Sequence, residues 1–460
     1  MPKPILLNAF VMATPSHLSP GLWRHPDDIS TRYTDLSFWT DLARLLERGR
    51  FSAMFLADTY GTYDVYGGTA EPAFRHGLHV PILDPLLLVP AMAAATRDLC
   101  FGVTCSTSYE HPFALARRFS TLDHLTGGRI GWNIVTSASD SAARNFGLAR
   151  QRDHDDRYGR ADEFMEVCYK LWEGSWAEGA LRRDKANGVY ADPAAIRGIL
   201  HQGAHFSVEG PHATEPFPQR TPVLYQAGAS KRGRAFAARH AECIFVGAPS
   251  KPALKRTVAA LRSALAEAGR DPSSVPIVAE HTIVTGATDA EAEAKRAAYG
   301  AFASPEGALA MMSGWTGVDL SRYRLDDPFE HVESRGIQSA VDAMSEADPD
   351  RVWTIGEIAA FLGIGGLSPV TSGSPRRVVD AIEGWIEETG IDGFNLSYAV
   401  MDGSFRDVVD LIVPELDRRG LHGEPRSGTY REKLTGAGPT LPGTHAGAAY
   451  RVQAPSEEFP

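Results

Sequence analysis

The sequence predicts an α/β fold: a (β/α)8 TIM barrel with insertion segments. Three observations carry that reading. Short apolar strands alternate with amphipathic helices along most of the chain, the pattern of a parallel sheet with helical crossovers. Eight such strands can be counted, nearly all followed by helices, and eight βα units suggest closure into a barrel. The competing open, doubly wound sheet would place a Gly-rich dinucleotide fingerprint after its first strand, whereas Phe10-Val-Met-Ala-Thr-Pro-Ser holds no glycine.

The elements follow in order. Ile5 to Phe10 reads as the first strand, and Leu36 to Arg48 as a helix with apolar residues at Leu36, Leu42, Leu45 and Leu46. Phe51 to Leu56 is the second strand. Asp84 caps a helix that opens at Pro85 and reaches Thr96, since proline suits the first helical position. Leu99 to Cys105 is the third strand, Pro112 to Leu125 a helix, Ile130 to Val135 the fourth strand, and Arg157 to Trp172 a long helix. The period then breaks from Ser175 to Arg220. Strand Pro222 to Gln226, helix Gly233 to Ala241, strand Cys243 to Val246, helix Lys251 to Ala268 and strand Pro276 to Val284 resume the alternation. Thr288 and Glu291, at capping-box spacing, open a helix from Asp289 to Tyr299. A second excursion spans about 301–370, after which helix Pro375 to Glu388, strand Gly393 to Ser397 and helix Phe405 to Arg419 close the series. Residues 1–436 are therefore expected to form a single barrel domain with insertions near 175–220 and 301–370. The Gly-, Pro-, Thr- and Ala-rich stretch 437–460 is expected to be a flexible tail.

With 460 residues, 43% hydrophobic, the chain can bury a large core. A net charge of −11 argues against nucleic acid, which needs a basic surface. No apolar run approaches the ~20 residues needed to span a bilayer, so no membrane partner is expected. The N-terminus MPKPILLNAFVMATPSH lacks a small-residue cleavage site and reads as a first strand rather than a signal peptide. Cys100, Cys105, Cys168 and Cys243 show no CxxC spacing, which suggests reduced thiols and a cytoplasmic protein. Cys100 and Cys105 sit at odd spacing in one strand and so face opposite sides.

In such a barrel, ligands meet the C-terminal ends of the strands. Strand two delivers Asp58, strand three Thr104 and Thr107, strand four Asn133, Thr136 and Ser137, and strand five Gly228-Ala229-Ser230. The run GGRIGWNIVTSASDSAARNFG, residues 127–147, ends a buried strand in amide and hydroxyl groups that can bind a ligand; an ordinary core strand with a capped helix after it would look similar. In YQAGASKRGRAFAARHAE, Tyr225 to Glu242, a strand gives way to a helix through small residues and a serine. Free N–H groups at a helix N-terminus, with Lys231, Arg232 and Arg234 nearby, make a phosphate site, although a plain capped βα turn shares these features. His154 and Tyr158, four apart at the head of a helix, could face one ligand. His201 and His205 are spaced i, i+4, but Gly203 and the strand-like HFSVEG argue against a helix, and they read as a satisfied surface pair. No GxSxG, P-loop or zinc spacing occurs, so no metal is expected.

LNAF, SHLSPGLWRHP, FLAD at Phe55 to Asp58, HPFALARRFSTLDHLTGGRIGWNIVTS, HDDRYGRADEFMEV, LYQAGASKRGRAFAARHAE and DGFNLSYAV run from about residue 4 to residue 434. Together they resemble the bacterial-luciferase-like flavin-dependent monooxygenases, within them the nitrilotriacetate, dibenzothiophene-sulfone and dimethyl-sulfide monooxygenase group. The resemblance implies a barrel that binds FMN as FMNH2, supplied by a separate flavin reductase using NAD(P)H, and reacts it with O2. Carried over by motif, Asp58, Thr104, Asn133, Ser137, His154 and Tyr158 would surround the flavin, and Gly228, Ala229 and Ser230 its phosphate. Both excursions would serve as lids that keep the reaction dry. Phe55, Phe245 and Trp315 are candidates to line an apolar substrate pocket, and His25 and His111 are candidate acid–base groups. The family also implies a homodimer or homotetramer.

SHLSPGLWRHP, GTYDVYGG, SGWTGVDL and IGGLSPV look most like the dimethyl-sulfide branch, which implies a thioether or other organosulfur substrate oxidised at sulfur or at the carbon beside it. An aminopolycarboxylate would want a cationic pocket, and no arginine cluster stands out in the two excursions. An aminopolycarboxylate or halogenated aromatic substrate, or hydride transfer by a deazaflavin-dependent barrel, is the alternative.

Overall fold

The computed structural model describes residues 4–228, 230–329, 352–424 and 427–452. Eight parallel strands close on themselves: β1 (Leu6–Met12), β2 (Ala53–Ala57), β3 (Cys100–Ser106), β4 (Ile130–Val135), β5 (Val223–Gln226), β6 (Cys243–Val246), β7 (Ile277–Thr285) and β8 (Gly393–Ser397). Each pairs with its sequence neighbour, and β8 returns to β1 through Leu6 opposite Gly393 and Asn8 opposite Asn395. A further parallel strand, Val370–Gly373, pairs with Thr282–Thr285, the end of β7 that projects beyond β6.

Period-two alternation divides the strands between two cores. Phe101, Val103, Cys105, Trp132 and Ile134 face the surrounding helices, where the Trp132 ring packs 5.8 Å from both Phe119 and Phe164. Phe10, Phe55, Cys100, Tyr225, Cys243 and Val278 fill the barrel interior. Cys100 and Cys105 do face opposite ways. The interior is stoppered at its N-terminal end by the helix Tyr430–Thr435, whose Tyr430 hydroxyl hydrogen-bonds that of Tyr225. Beside it Arg431, fully buried, donates from Nε to Glu242 at 2.5 Å and from Nη2 to the Thr221 carbonyl at 2.9 Å.

The outer helices include α1 (Leu36–Arg48), α2 (Val89–Ala95), α3 (Pro112–Thr126), α4 (His154–Trp172), α5 (Lys231–His240) and α6 (Lys251–Glu267). The helix expected from Pro85 to Thr96 is interrupted: Pro85–Leu87 forms a 3-10 turn, and α2 restarts beside Pro90, which has no N–H to continue the earlier ladder. The first excursion folds as two small hairpins, the second of which is held to the outside of α4 by Glu163, accepting from the backbone N–H groups of His205 and Phe206 at 2.9 and 2.8 Å. His201 is buried there rather than on the surface, and bonds Glu163 at 3.2 Å and Lys170 at 3.0 Å. The second excursion carries helices Pro305–Thr316 and Ile355–Leu362, joined through Leu309, Met312, Phe329 and Ile358; its segment 330–351 lies outside the described residues.

Residues 437–452, expected as part of a flexible tail, pack against α4 and α5 instead. Leu441 and His445 are buried, His445 Nε2 donates to the His240 carbonyl at 2.9 Å, and Tyr450 stacks on Tyr169. Residues 453–460 lie outside the described residues. Among the described residues, no helix is long and apolar enough to cross a membrane.

Candidate active site

A cavity of about 790 Å³ opens at the C-terminal rim, over β1, β2, β6 and β7, and its size suits an organic ligand. Its floor is aromatic. Phe10 sits 5.1 Å from Phe245, edge to face, and both rest on Phe55, each at 5.6 Å. Trp315 and Leu367 of the second excursion form its roof, and the Trp315 indole N–H donates to the Tyr63 hydroxyl at 2.7 Å.

Polar groups interrupt this apolar lining. His79 Nε2 donates to the His17 carbonyl at 2.9 Å, while the buried Nδ1 of His17 has no partner. Burial holds His17 well below the usual histidine range and His79 at about 4, so both rings are neutral at pH 7. The reverse holds for the carboxyls. Burial pushes Asp58, just past β2, and Glu280, on β7, each up to about 7, because the low-dielectric surroundings disfavour their charged forms.

Next to this cavity, β3, β4 and β5 end in a second arrangement. Asn133 Nδ2 donates to Thr104 Oγ1 at 2.9 Å across the β3–β4 pair, leaving Asn133 Oδ1 buried without a partner. Ser137 takes up a left-handed backbone at φ 47° and meets Ser106 hydroxyl to hydroxyl at 2.8 Å. Past β5, Ser230 caps α5 by accepting from the Gly233 N–H at 3.0 Å, and its hydroxyl lies 3.2 Å from His154 Nε2. Tyr158, one turn further along α4, is held among the side chains of Gln226, Ser230 and Thr136.

An added Cβ is crowded where these pieces meet. A Cβ at Gly233 would sit 2.8 Å from the Tyr158 hydroxyl and 3.0 Å from Gly228 Cα; one at Gly228 would sit 2.6 Å from the Gln226 amide. The turn is a backbone cradle at a helix N-terminus with a serine hydroxyl and an imidazole on its edge, which is what a phosphate needs. One strand away, the unpartnered Asn133 Oδ1 offers an acceptor to a flat heterocycle. These residues fit a flavin mononucleotide.

The sequence profile of luciferase-like monooxygenases matches residues 14–393. The chain belongs to that family. It is 46% identical over 453 residues to the dimethyl-sulfide monooxygenase of Hyphomicrobium sulfonivorans, covering 98% of this chain and 94% of the relative. It is 47% identical to the long-chain alkane monooxygenase of Geobacillus thermodenitrificans, covering 98% and 99%. Among solved structures, that of DmoA from Hyphomicrobium sulfonivorans superposes with a TM-score of 0.93 at 46% identity, over 98% of this chain and 96% of that one. A riboflavin lyase solved with modified FMN and riboflavin superposes at 0.89 with 38% identity, over 98% and 100%. A flavin-dependent monooxygenase is thus the enzyme class of this barrel.

For this luciferase-like barrel, the structure groups some of the sequence-predicted residues and disperses others. Thr104, Asn133, Ser137, His154, Tyr158, Gly228 and Ser230 lie along one arc of the rim, and Asp58 lies in the wall of the cavity; Ala229 lies outside the described residues. Phe245 and Trp315 line the cavity, but Phe55 is 1% exposed and supports the floor from below. His25 is turned away: its ring packs on Tyr299 and Phe302, each at 5.1 Å. His111 caps α3 from the exposed side, accepting from the Phe113 N–H at 3.3 Å. Neither borders the cavity, so neither is placed for acid–base work there. Of the two excursions, the second roofs the cavity and the first does not reach it. His17, Tyr63, His79 and Glu280 escaped sequence reading. His17 and Tyr63 could have been found as residues in the loops that follow β1 and β2; Glu280 had no such signal inside an apolar strand.

Proposed function

We propose that the protein is the oxygenase component of a two-component system, taking FMNH2 from a separate NAD(P)H-dependent flavin reductase and using O2 to oxidise a small, largely apolar organosulfur compound such as a thioether. The observation that carries this reading is the adjacency on one rim of a cradle crowded against any added Cβ and an aromatic-floored cavity under a Trp315–Leu367 roof. Bound FMNH2 would supply the electrons that activate O2. Ser230, His154 and the N-terminus of α5 would hold its phosphate, and Thr104, Asn133, Ser137 and Tyr158 would orient the ring. The apolar floor and roof keep water from the reacting atoms. Asp58, pushed up to about 7 by burial, can hold or release a proton in the wall of the cavity.

The cavity chemistry supports an uncharged substrate body. Among the described lining residues there is one guanidinium, Arg256, against the two carboxyls of Asp58 and Glu280, a poor setting for a polycarboxylate. The 46% identity to a dimethyl-sulfide monooxygenase favours sulfur, and the 47% identity to an alkane monooxygenase favours a second reading, hydroxylation of an alkane. A product assay separates them. With FMN, a flavin reductase, NADH and O2, oxidation of a thioether beside sulfur releases a thiol and an aldehyde, and oxidation at sulfur gives a sulfoxide. An alkane gives an alcohol. Indifference to the whole panel, together with tight binding of a deazaflavin in preference to FMN, would overturn the monooxygenase reading in favour of hydride transfer.

A further inference from the structure

The middle of the barrel interior is not uniformly apolar. Glu280 on β7, Asn395 on β8 and Asn8 on β1 are register neighbours on three adjacent strands, with side chains on the same inward face. Phe55 on β2, Tyr225 on β5 and Phe245 on β6 line the rest of the interior, Phe245 on the strand beside β7. Glu280 Oε1 accepts a hydrogen bond from Ser368 Oγ, which the second excursion brings down onto it. The carboxyl also borders the cavity beside Gly247, where a Cβ would lie 3.4 Å from Oε2; the missing side chain leaves that oxygen approachable. Asn395 is completely buried, and neither Oδ1 nor Nδ2 of its side chain has a partner. A carboxyl turned to an apolar cavity, with an unsatisfied amide beside it, gains nothing from a plain alkane or dialkyl sulfide.

We propose that Glu280, positioned by Ser368 and backed by Asn395, is a specificity-determining residue that binds a hydrogen-bond donor, a hydroxyl or an amine, carried at one end of an otherwise apolar substrate. This rests on the monooxygenase reading for the fate of that substrate, but not for its binding. The donor reaches Glu280 Oε2 past Gly247 while the apolar body lies on Phe10 and Phe245. A terminal carboxylate is disfavoured, because it would face both Glu280 and Asp58.

Isothermal titration of the full-length protein with a matched series tests this directly: methyl propyl sulfide, its isosteres 2-(methylthio)ethanol and 2-(methylthio)ethylamine, and (methylthio)acetate. The wild type should bind the alcohol or the amine about tenfold or more tighter than methyl propyl sulfide, as a donor to a desolvated carboxyl does, and bind the acetate weakest. Glu280→Leu should abolish that preference while keeping affinity for methyl propyl sulfide. Gly247→Ala, which leaves the carboxyl intact but covers it, should reduce the preference in the same direction. Glu280→Gln should retain more affinity for the alcohol than for the amine. Equal binding of the alcohol, the amine and methyl propyl sulfide by the wild type, or a preference that survives Glu280→Leu, would overturn the assignment. Turnover of the same compounds with FMNH2 and O2 is read separately: a binding preference without oxidation sinks the substrate reading above and leaves this subsite standing.

Discussion

Alanine at Gly233 discriminates the phosphate cradle from an ordinary helix start. The new Cβ would approach the Tyr158 hydroxyl to 2.8 Å, Gly228 Cα to 3.0 Å and the Ser230 hydroxyl to 3.1 Å. Tyr158 is packed against Phe236, and Gly228 Cα is backbone, so neither yields cheaply. Overpacking of this kind costs about 1–3 kcal/mol. Replacing a helical glycine regains about 0.5–1 kcal/mol of backbone entropy, so the net loss of stability should stay under about 2.5 kcal/mol. The strain falls on the turn that would hold the phosphate. FMN affinity should therefore drop by about 5- to 150-fold, the equilibrium equivalent of the full overpacking cost. Gly159, on the exposed side of α4, where an added Cβ would meet nothing within 4 Å, is the matched control. Gly159→Ala should raise the melting temperature and leave FMN binding unchanged. Flavin fluorescence quenching gives both affinities, and thermal melts give both stabilities. If Gly233→Ala binds FMN as the parent does, the turn after β5 is not the phosphate site.

Three further outcomes follow from the geometry. Because burial raises Asp58 to about 7, the folded chain keeps a proton that the unfolded chain releases, and this group's cost to stability grows as pH rises from about 4 to 7. Asp58→Asn removes that cost, so its gain in melting temperature over the parent should be larger at about pH 8 than at about pH 4; equal gains at both would contradict the raised value. Arg431→Met leaves Glu242 buried without its cation and should cost about 3–5 kcal/mol in urea unfolding, whereas a change below about 1 kcal/mol would show that the pair does not anchor the barrel floor. Trp315→Leu removes the indole bonded to Tyr63 and thins the roof, so a larger share of O2 should end as hydrogen peroxide instead of product, read by peroxide assay. Unaltered coupling in that variant would mean the roof does not exclude water.

The barrel was legible because its strands are short apolar runs buried on both faces, separated by capped helices. That same property hid Glu280, since alternation cannot mark an inward polar residue in a strand whose two faces are both covered. The strand Val370–Gly373 was missed because VTSG is weakly apolar and exists only where β7 outruns β6. Rim residues could be read from strand ends, as Asn133 and Ser230 were, because a barrel fixes where strand ends point. A loop position alone does not say where a side chain turns: His25 and His111 fall in suggestive stretches, yet one turns to Tyr299 and Phe302 and the other caps α3. Composition misjudged 437–452, where Leu441 and His445 anchor a Gly-rich segment against α4 and α5.

A single-turnover experiment tests the central claim most directly. Protein loaded anaerobically with FMNH2 and a dialkyl sulfide is mixed with O2, and oxidised flavin, product and hydrogen peroxide are counted. The account predicts product, either thiol with aldehyde or sulfoxide, formed in step with flavin oxidation and with little peroxide. Complete flavin oxidation with the sulfide intact and all the O2 recovered as hydrogen peroxide would contradict it.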